Sequence, residues 1–251
     1  MTTDTRIARR IPFGRLVRVE TRKMLDTRTS VIMTGTLILL ALALVAGRGI
    51  ATGPANLFTL AGTAAIALGV LLPVLGILTV TGEWSHRTAL TTFALEPRRG
   101  RVLVAKCVPV LAAAVVACLL ALLVAVPVTA VAAAVHGVEA TWRLEPGAVL
   151  GWIATMVILT AQGLAMGMLL LNAPAAIVIS LVNPMAWGFV GQLGGAGEFL
   201  TEWFDLNTTT NALIDGRMTG GDLARLATSV LVWVVIPMGA GVLRVLRREV
   251  R

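Results

Sequence analysis

The sequence predicts an all-α, polytopic membrane protein with six transmembrane helices. Three observations carry this. Of its 251 residues, 57% are hydrophobic and the mean hydropathy is +0.88, whereas soluble domains average roughly 45–50% apolar residues. Apolar runs of about 18 or more residues, enough to cross a bilayer, recur along the chain. The runs are continuous rather than alternating, which argues against a lipid-facing β-barrel, and the charges gather between them.

The whole chain, 1–251, reads as a single transmembrane domain. Residues 1–29 are polar and basic, too long for an ordinary signal-peptide n-region, so the first run is expected to stay as a signal anchor. Within them, 11–28 has helical amphipathic spacing: Phe13, Leu16, Val17 and Met24 share one face, and Arg15, Arg18, Arg22 and Asp26 the other. Such a helix lies in the membrane interface with its arginines at the headgroups. Glu20 breaks the pattern by projecting from the apolar face. A carboxylate there is costly unless paired, so it is expected to meet a cation or capping amide at the base of another span.

The spans follow as Thr29–Gly47, Leu57–Thr81, one within Val102–Val135, Ala148–Leu171, Pro174–Val190 and Leu226–Leu243. Val102–Val135 would measure about 51 Å as a helix, yet has no polar turn to divide it. One long helix is expected, kinked near Pro109 and ended around Pro127. Asn172-Ala173-Pro174 makes a very short hairpin. Asn183-Pro184 is expected to bend the fifth span. The external segment 191–225 opens with Gly-rich turn signals. Phe199, Leu200, Trp203, Phe204 and Leu206 then predict a short amphipathic helix, with Glu198, Glu202 and Asp205 on a solvated face.

Charge orients the set. Of the 21 Lys and Arg, 17 fall in 1–29, 82–106 and 244–251, which lie on one side of a six-span threading. Arg48, Arg143, Arg217 and Arg225 lie on the other. The positive-inside rule places both termini and the 82–106 loop in the cytoplasm. The net charge of +8 therefore reflects topology and lipid headgroups rather than nucleic acid. Cys107 and Cys118 sit on one helix, 11 residues apart, and cannot bridge each other. They read as small buried hydrophobes.

Several chemistries lack their residues. The two lysines, Lys23 and Lys106, are followed by Met24 and Cys107, so no Walker A site is present. There is no HExxH or GxSxG, and the carboxylates match no metal motif. No catalytic residue, metal site or cofactor is expected in this chain. The span interiors lack ionisable groups, and Lys106, near an inner end, is expected to snorkel. Such spans suit a permease powered from outside the bilayer better than a proton-coupled carrier.

The chain resembles the six-span permease subunits of ABC exporters, the type 2 family that includes bacterial drug and antibiotic exporters. "RLVRVETRKMLDTRTSVIM" is similar to the family's amphipathic elbow helix running into the first span. "GEWSHRTALTTFALEPRRGRVLVAK", residues 82–106, is similar to its first cytoplasmic loop: Glu83 opens a short coupling helix, and an Arg-containing turn, Arg98 to Arg101, and Lys106 follow. The chain departs from many relatives in lacking a Gly after His86. The short hairpin, the external segment and "LVWVVIPMGAGVLRVLRREV" also fit.

The resemblance implies a dimer of permease chains, identical or paralogous, with an ATPase subunit under each. ATP and Mg2+ would bind in that partner. The 82–101 loop would dock on the ATPase through Glu83, Trp84, His86, Arg87, Leu90 and Phe93. Thr59, Thr63, Ser180 and Asn183 would line the translocation path, with interhelical packing as the competing role for each. Two other functions stay open: a non-transporting membrane scaffold or sensor subunit, and a secondary transporter. The pathway suits amphipathic drugs, lipids or peptides equally.

Overall fold

The computed structural model describes residues 12–26, 28–52, 55–85, 98–216 and 218–247. It is all α, with no strand among these residues, and six of its helices are long and apolar enough to cross a membrane.

Helix α1 (Phe13–Asp26) is the amphipathic helix, and α2 (Arg28–Thr52) the first span. The second span is not one helix, as its hydropathy predicted, but two. Helix α3 (Leu57–Thr63) starts at Asn56, whose Oδ1 accepts the Thr59 amide at 2.9 Å. It tightens at Ala64, whose N–H turns to the carbonyls of Ala61 and Gly62, before α4 (Ala65–Ser85). A hydropathy profile does not register this break, because the single Thr63 beside it barely lowers the local hydropathy.

Helix α5 (Arg99–His136) is the long third span. The sequence placed its end near Pro127, but the helix runs through both Pro109 and Pro127. It stops at Gly137, whose φ of 64° is a left-handed cap that glycine adopts without strain. Proline is tolerated inside membrane helices because neighbouring helices and side chains satisfy the freed carbonyls.

Helix α6 (Pro146–Leu170) returns, with Pro at its start. The turn to α7 (Ala173–Val190) is tight. Leu171 takes φ 51°, and Asn172 Oδ1 accepts the Ala175 amide at 3.0 Å. Helix α7 continues through Pro184 to Val190 without interruption. The segment between the fifth and sixth spans holds two short helices rather than one, α8 (Gly195–Phe204) and α9 (Leu206–Ile214). The last span is α10 (Gly220–Val230), a π-helical turn (Leu231–Val235) and α11 (Ile236–Arg247).

Contacts sort the helix ends into two groups. At one end, Met24 of α1, Leu103 of α5, Val80 of α4, Met168 of α6, Leu171 just after it and Val245 of α11 form one apolar cluster. At the other, Asn56 bridges Thr141, and His136 Nε2 lies 3.2 Å from the Gly49 carbonyl oxygen and 3.1 Å from that of Ile50. Each long helix crosses between these ends.

Helices α4 and α6 form the most extensive pair. Gly163 faces Pro73 so closely that a Cβ would overlap the Pro73 carbonyl. A Cβ on Gly76 would meet the Thr160 oxygen at 3.0 Å, and one on Gly167 the Ile77 Cα at 3.1 Å. Small residues four apart let membrane helices approach backbone to backbone. Around this seam lies the main core, with Leu60, Leu68, Leu72, Cys118 and Trp152.

Helix α9 is seated by a buried cap, which corrects the expected solvated carboxylate. Asp205, 6% exposed, accepts from the amides of Asn207 (3.1 Å) and Thr208 (3.2 Å) and from the Thr208 hydroxyl (2.7 Å). Two free N-terminal amides need acceptors wherever the chain is buried, and the carboxylate supplies them. Glu202 is exposed, as expected, and pairs there with Arg225 at 2.9 Å. Replacing Asp205 by Ala is expected to destabilise the protein by about 1–2 kcal/mol, and Asp205→Asn by less than half of that. Thermal unfolding in detergent measures both; equal losses would show that the cap is not the cause.

Candidate functional site

The end bearing α1 gathers most of the residues singled out in the sequence. Helix α1 lies across the start of α5. Its helical spacing aims Glu20 at α5, while Arg15, Arg18 and Arg22 stay exposed. Glu20 Oε2 accepts from Lys106 Nζ at 2.7 Å, and Oε1 from Lys23 Nζ at 2.9 Å. Glu20 and Lys106 are 5% and 3% exposed. Lys106 therefore does not snorkel to the interface. Its ammonium is held inside by the carboxylate, which is the compensation that a buried charge needs. The two residues are 86 positions apart in the chain, so this contact ties the amphipathic helix to the base of the third span.

The same end carries the loop between α4 and α5. Glu83 and Trp84 belong to the last turn of α4. Their side chains, and the whole of His86, Arg87, Leu90 and Phe93, lie outside the described residues. On the far side of the loop, α5 begins at Arg99, with the Arg101 amide donating to the Arg98 carbonyl at 3.0 Å.

The four path candidates fall on two separate walls. Thr59 and Thr63 are one turn apart on α3, which packs on α5 and α2. The Thr63 hydroxyl donates to the Thr59 carbonyl at 3.1 Å, so its polarity is used within its own helix. Ser180 and Asn183 are on α7, which packs on α6, α4 and α8. Asn183 is buried, and the Ser180 hydroxyl is buried without a hydrogen-bond partner among the described residues. Thr160, Thr155 and Thr129 are likewise buried and donate to carbonyls one turn back.

Two features near the opposite end had no sequence signal of their own. The π-helical turn at Leu231–Val235 aims Trp233 across the bundle. Its indole N–H donates to the Phe204 carbonyl at 2.7 Å, and its ring meets Trp187 edge-on at 6.4 Å. Just before it, the Ser229 and Thr209 hydroxyls are 2.6 Å apart. Together these tie the last span to α7, α8 and α9. The glycine seam of α4 and α6 was missed in the sequence, although Gly163-x-x-x-Gly167 is a spacing that can accompany close helix approach.

No group of His, Cys, Asp or Glu suited to a metal ion occurs among the described residues. Cys107 and Cys118 are free thiols. The fold and this end of the bundle define a class: an all-α, multi-pass membrane protein with an amphipathic helix braced on its third span. Compared with protein-family models and with curated proteins, the chain matches none.

Proposed function

We propose that this chain is the permease subunit of an ATP-driven ABC exporter, working as a dimer and carrying an amphipathic or hydrophobic compound by alternating access. One observation carries the reading furthest. The amphipathic helix α1 is clamped to the base of α5 by the buried Glu20–Lys106 pair, at the end where the 86–97 segment joins α4 to α5. A rigid brace beside a charged loop is what transmission of force from an external ATPase requires. Motion imposed on the loop would pass into α5, which the buried pair ties to α1. The positive-inside rule puts this end, with both termini, in the cytoplasm of a cell bounded by its cytoplasmic membrane. The exposed apolar face of α7, with Val178, Leu181, Val182, Met185 and Phe189, would then meet the second permease chain.

Glu20, Lys106 and Asp205 are the buried charged residues among those described, and all three are held by partners near the helix ends. That placement supports an external power source over a proton relay through the span interiors. Affinity purification of the tagged full chain is expected to bring down an ATPase with a Walker A motif. Alanine at Trp84, Leu90 and Phe93 together is expected to reduce that recovery at least tenfold while the chain stays in the membrane. Recovery without an ATPase, or undiminished in the triple variant, would sink the proposal.

A further inference from the structure

An apolar groove of about 530 Å³ lies between α1, α2, α4 and α5. It follows α5 from Val108 to Val124, a rise of roughly 24 Å. One leaflet's hydrocarbon is about half of a ~30 Å core, so the groove is long enough for a whole acyl chain. Alanines make the room: Ala113 and Ala117 present only methyl groups to α2. The groove is open to the surroundings, because Ile38, Val116 and Leu120 line it and are exposed as well. Only 11% of the apolar window of α2 is buried, so lipid has access along this side.

Its end under α1 differs from the rest. Val17, Thr21 and Met24 close the groove there. By helical spacing, Arg18 and Arg22 stand on the next flank of α1, and both are exposed. An apolar slot longer than one leaflet thus runs under a helix whose exposed flank carries two arginines. Guanidinium pairs with phosphate through parallel hydrogen bonds, and basic residues at a membrane surface attract anionic lipids. An unfilled groove would forfeit dispersion contacts along its lining, and acyl chains are the apolar material present at highest concentration in a bilayer.

We propose that this groove is a binding site for one anionic phospholipid, with an acyl chain between α2 and α5 and its phosphate on Arg18 and Arg22. The lipid packs α1 and α2 against the third span. The inference stands whether or not the chain belongs to an ATP-driven exporter.

Native mass spectrometry of the full chain tests it, with palmitoyl-oleoyl phosphatidylglycerol and palmitoyl-oleoyl phosphatidylcholine as probes. Wild type is expected to retain one phosphatidylglycerol at least fivefold better than phosphatidylcholine. Arg18→Gln with Arg22→Gln is expected to abolish that preference. Ala113→Phe with Ala117→Phe is expected to lower retention of both lipids at least fivefold. If the filled variant does not fold, judged by its unfolding midpoint, Leu120→Trp at the open edge replaces it with the same expectation. Wild-type retention in the filled variant, or an undiminished preference in the arginine variant, overturns the proposal. So does displacement of the lipid by a second copy of the chain, or retention of tetraphenylphosphonium in place of phosphatidylglycerol.

Discussion

Gly163→Ala is expected to be among the most damaging single-methyl additions in the molecule. The new Cβ would overlap the carbonyl of Pro73, in the backbone of α4. A side chain can rotate away from such a clash, but a helix backbone cannot. The α4–α6 seam would have to open, and overpacking of this kind costs about 1–3 kcal/mol and occasionally more. Because α4 and α6 are the most extensively packed pair, that loss is expected at the upper end. For a chain of this size it corresponds to a fall in unfolding midpoint on the order of 5–10 °C. Gly167→Ala is expected to cost less, since its Cβ would sit 3.1 Å from the Ile77 Cα, where a small shift suffices. Gly62→Ala meets nothing within 4 Å and is expected to be neutral or slightly stabilising. Thermal unfolding of the three variants in one detergent gives the order. If Gly163→Ala unfolds with Gly62→Ala, the helices are not held at backbone contact.

The second large effect belongs to the ion pair. Removing one partner of a buried pair typically costs about 3–5 kcal/mol. Lys106→Met and Glu20→Ala are each expected to approach that range, because both side chains are almost wholly buried and 2.7 Å apart. Lys23→Met removes a contact of nearly equal length, 2.9 Å, to the same carboxylate. Its side chain, however, is 43% exposed, and exposed pairs contribute about 0–1 kcal/mol. Burial rather than distance separates the two lysines. Replacing the pair together, Glu20→Leu with Lys106→Met, is expected to recover much of the stability, since apolar packing often equals a buried pair. Under the proposed function, this double variant would remain in the membrane and yet transport poorly, because α1 would no longer be clamped in one register. A double variant as unstable as Glu20→Ala would show that the charges themselves are required for folding.

The expectation that Glu20 needs a partner came from helical periodicity, which set a carboxylate among Leu16, Val17 and Met24. Which cation it meets was not legible. Lys106 is 86 residues away, and in the sequence it stood beside the arginines of the loop as one more topological charge. The end of the third span was misplaced for a related reason. Proline is a strong local signal, but whether it stops a helix depends on what the neighbouring helices offer to the carbonyls it frees. Asp205 was grouped with the solvated carboxylates because amphipathic spacing sees only its own helix. Its burial follows from α9 folding back over the start of α6, where Gly151 admits the Leu213 carbonyl.

The sequence by itself determined the class, the six spans, the amphipathic first helix and the amphipathic segment before the last span. A bilayer makes that possible, since every backbone group must be satisfied within its own span, so length and hydropathy are local tests. Only the tertiary structure decided the Glu20–Lys106 clamp, the backbone contact of α4 with α6, the π-helical turn around Trp233 and the groove beneath α1. Each depends on which side of a span faces which neighbour. In lipid, an apolar side packs on a helix or on an acyl chain with little difference in hydrophobic free energy. Hydropathy therefore says nothing about it, and the choice falls to shape and to the few buried charges.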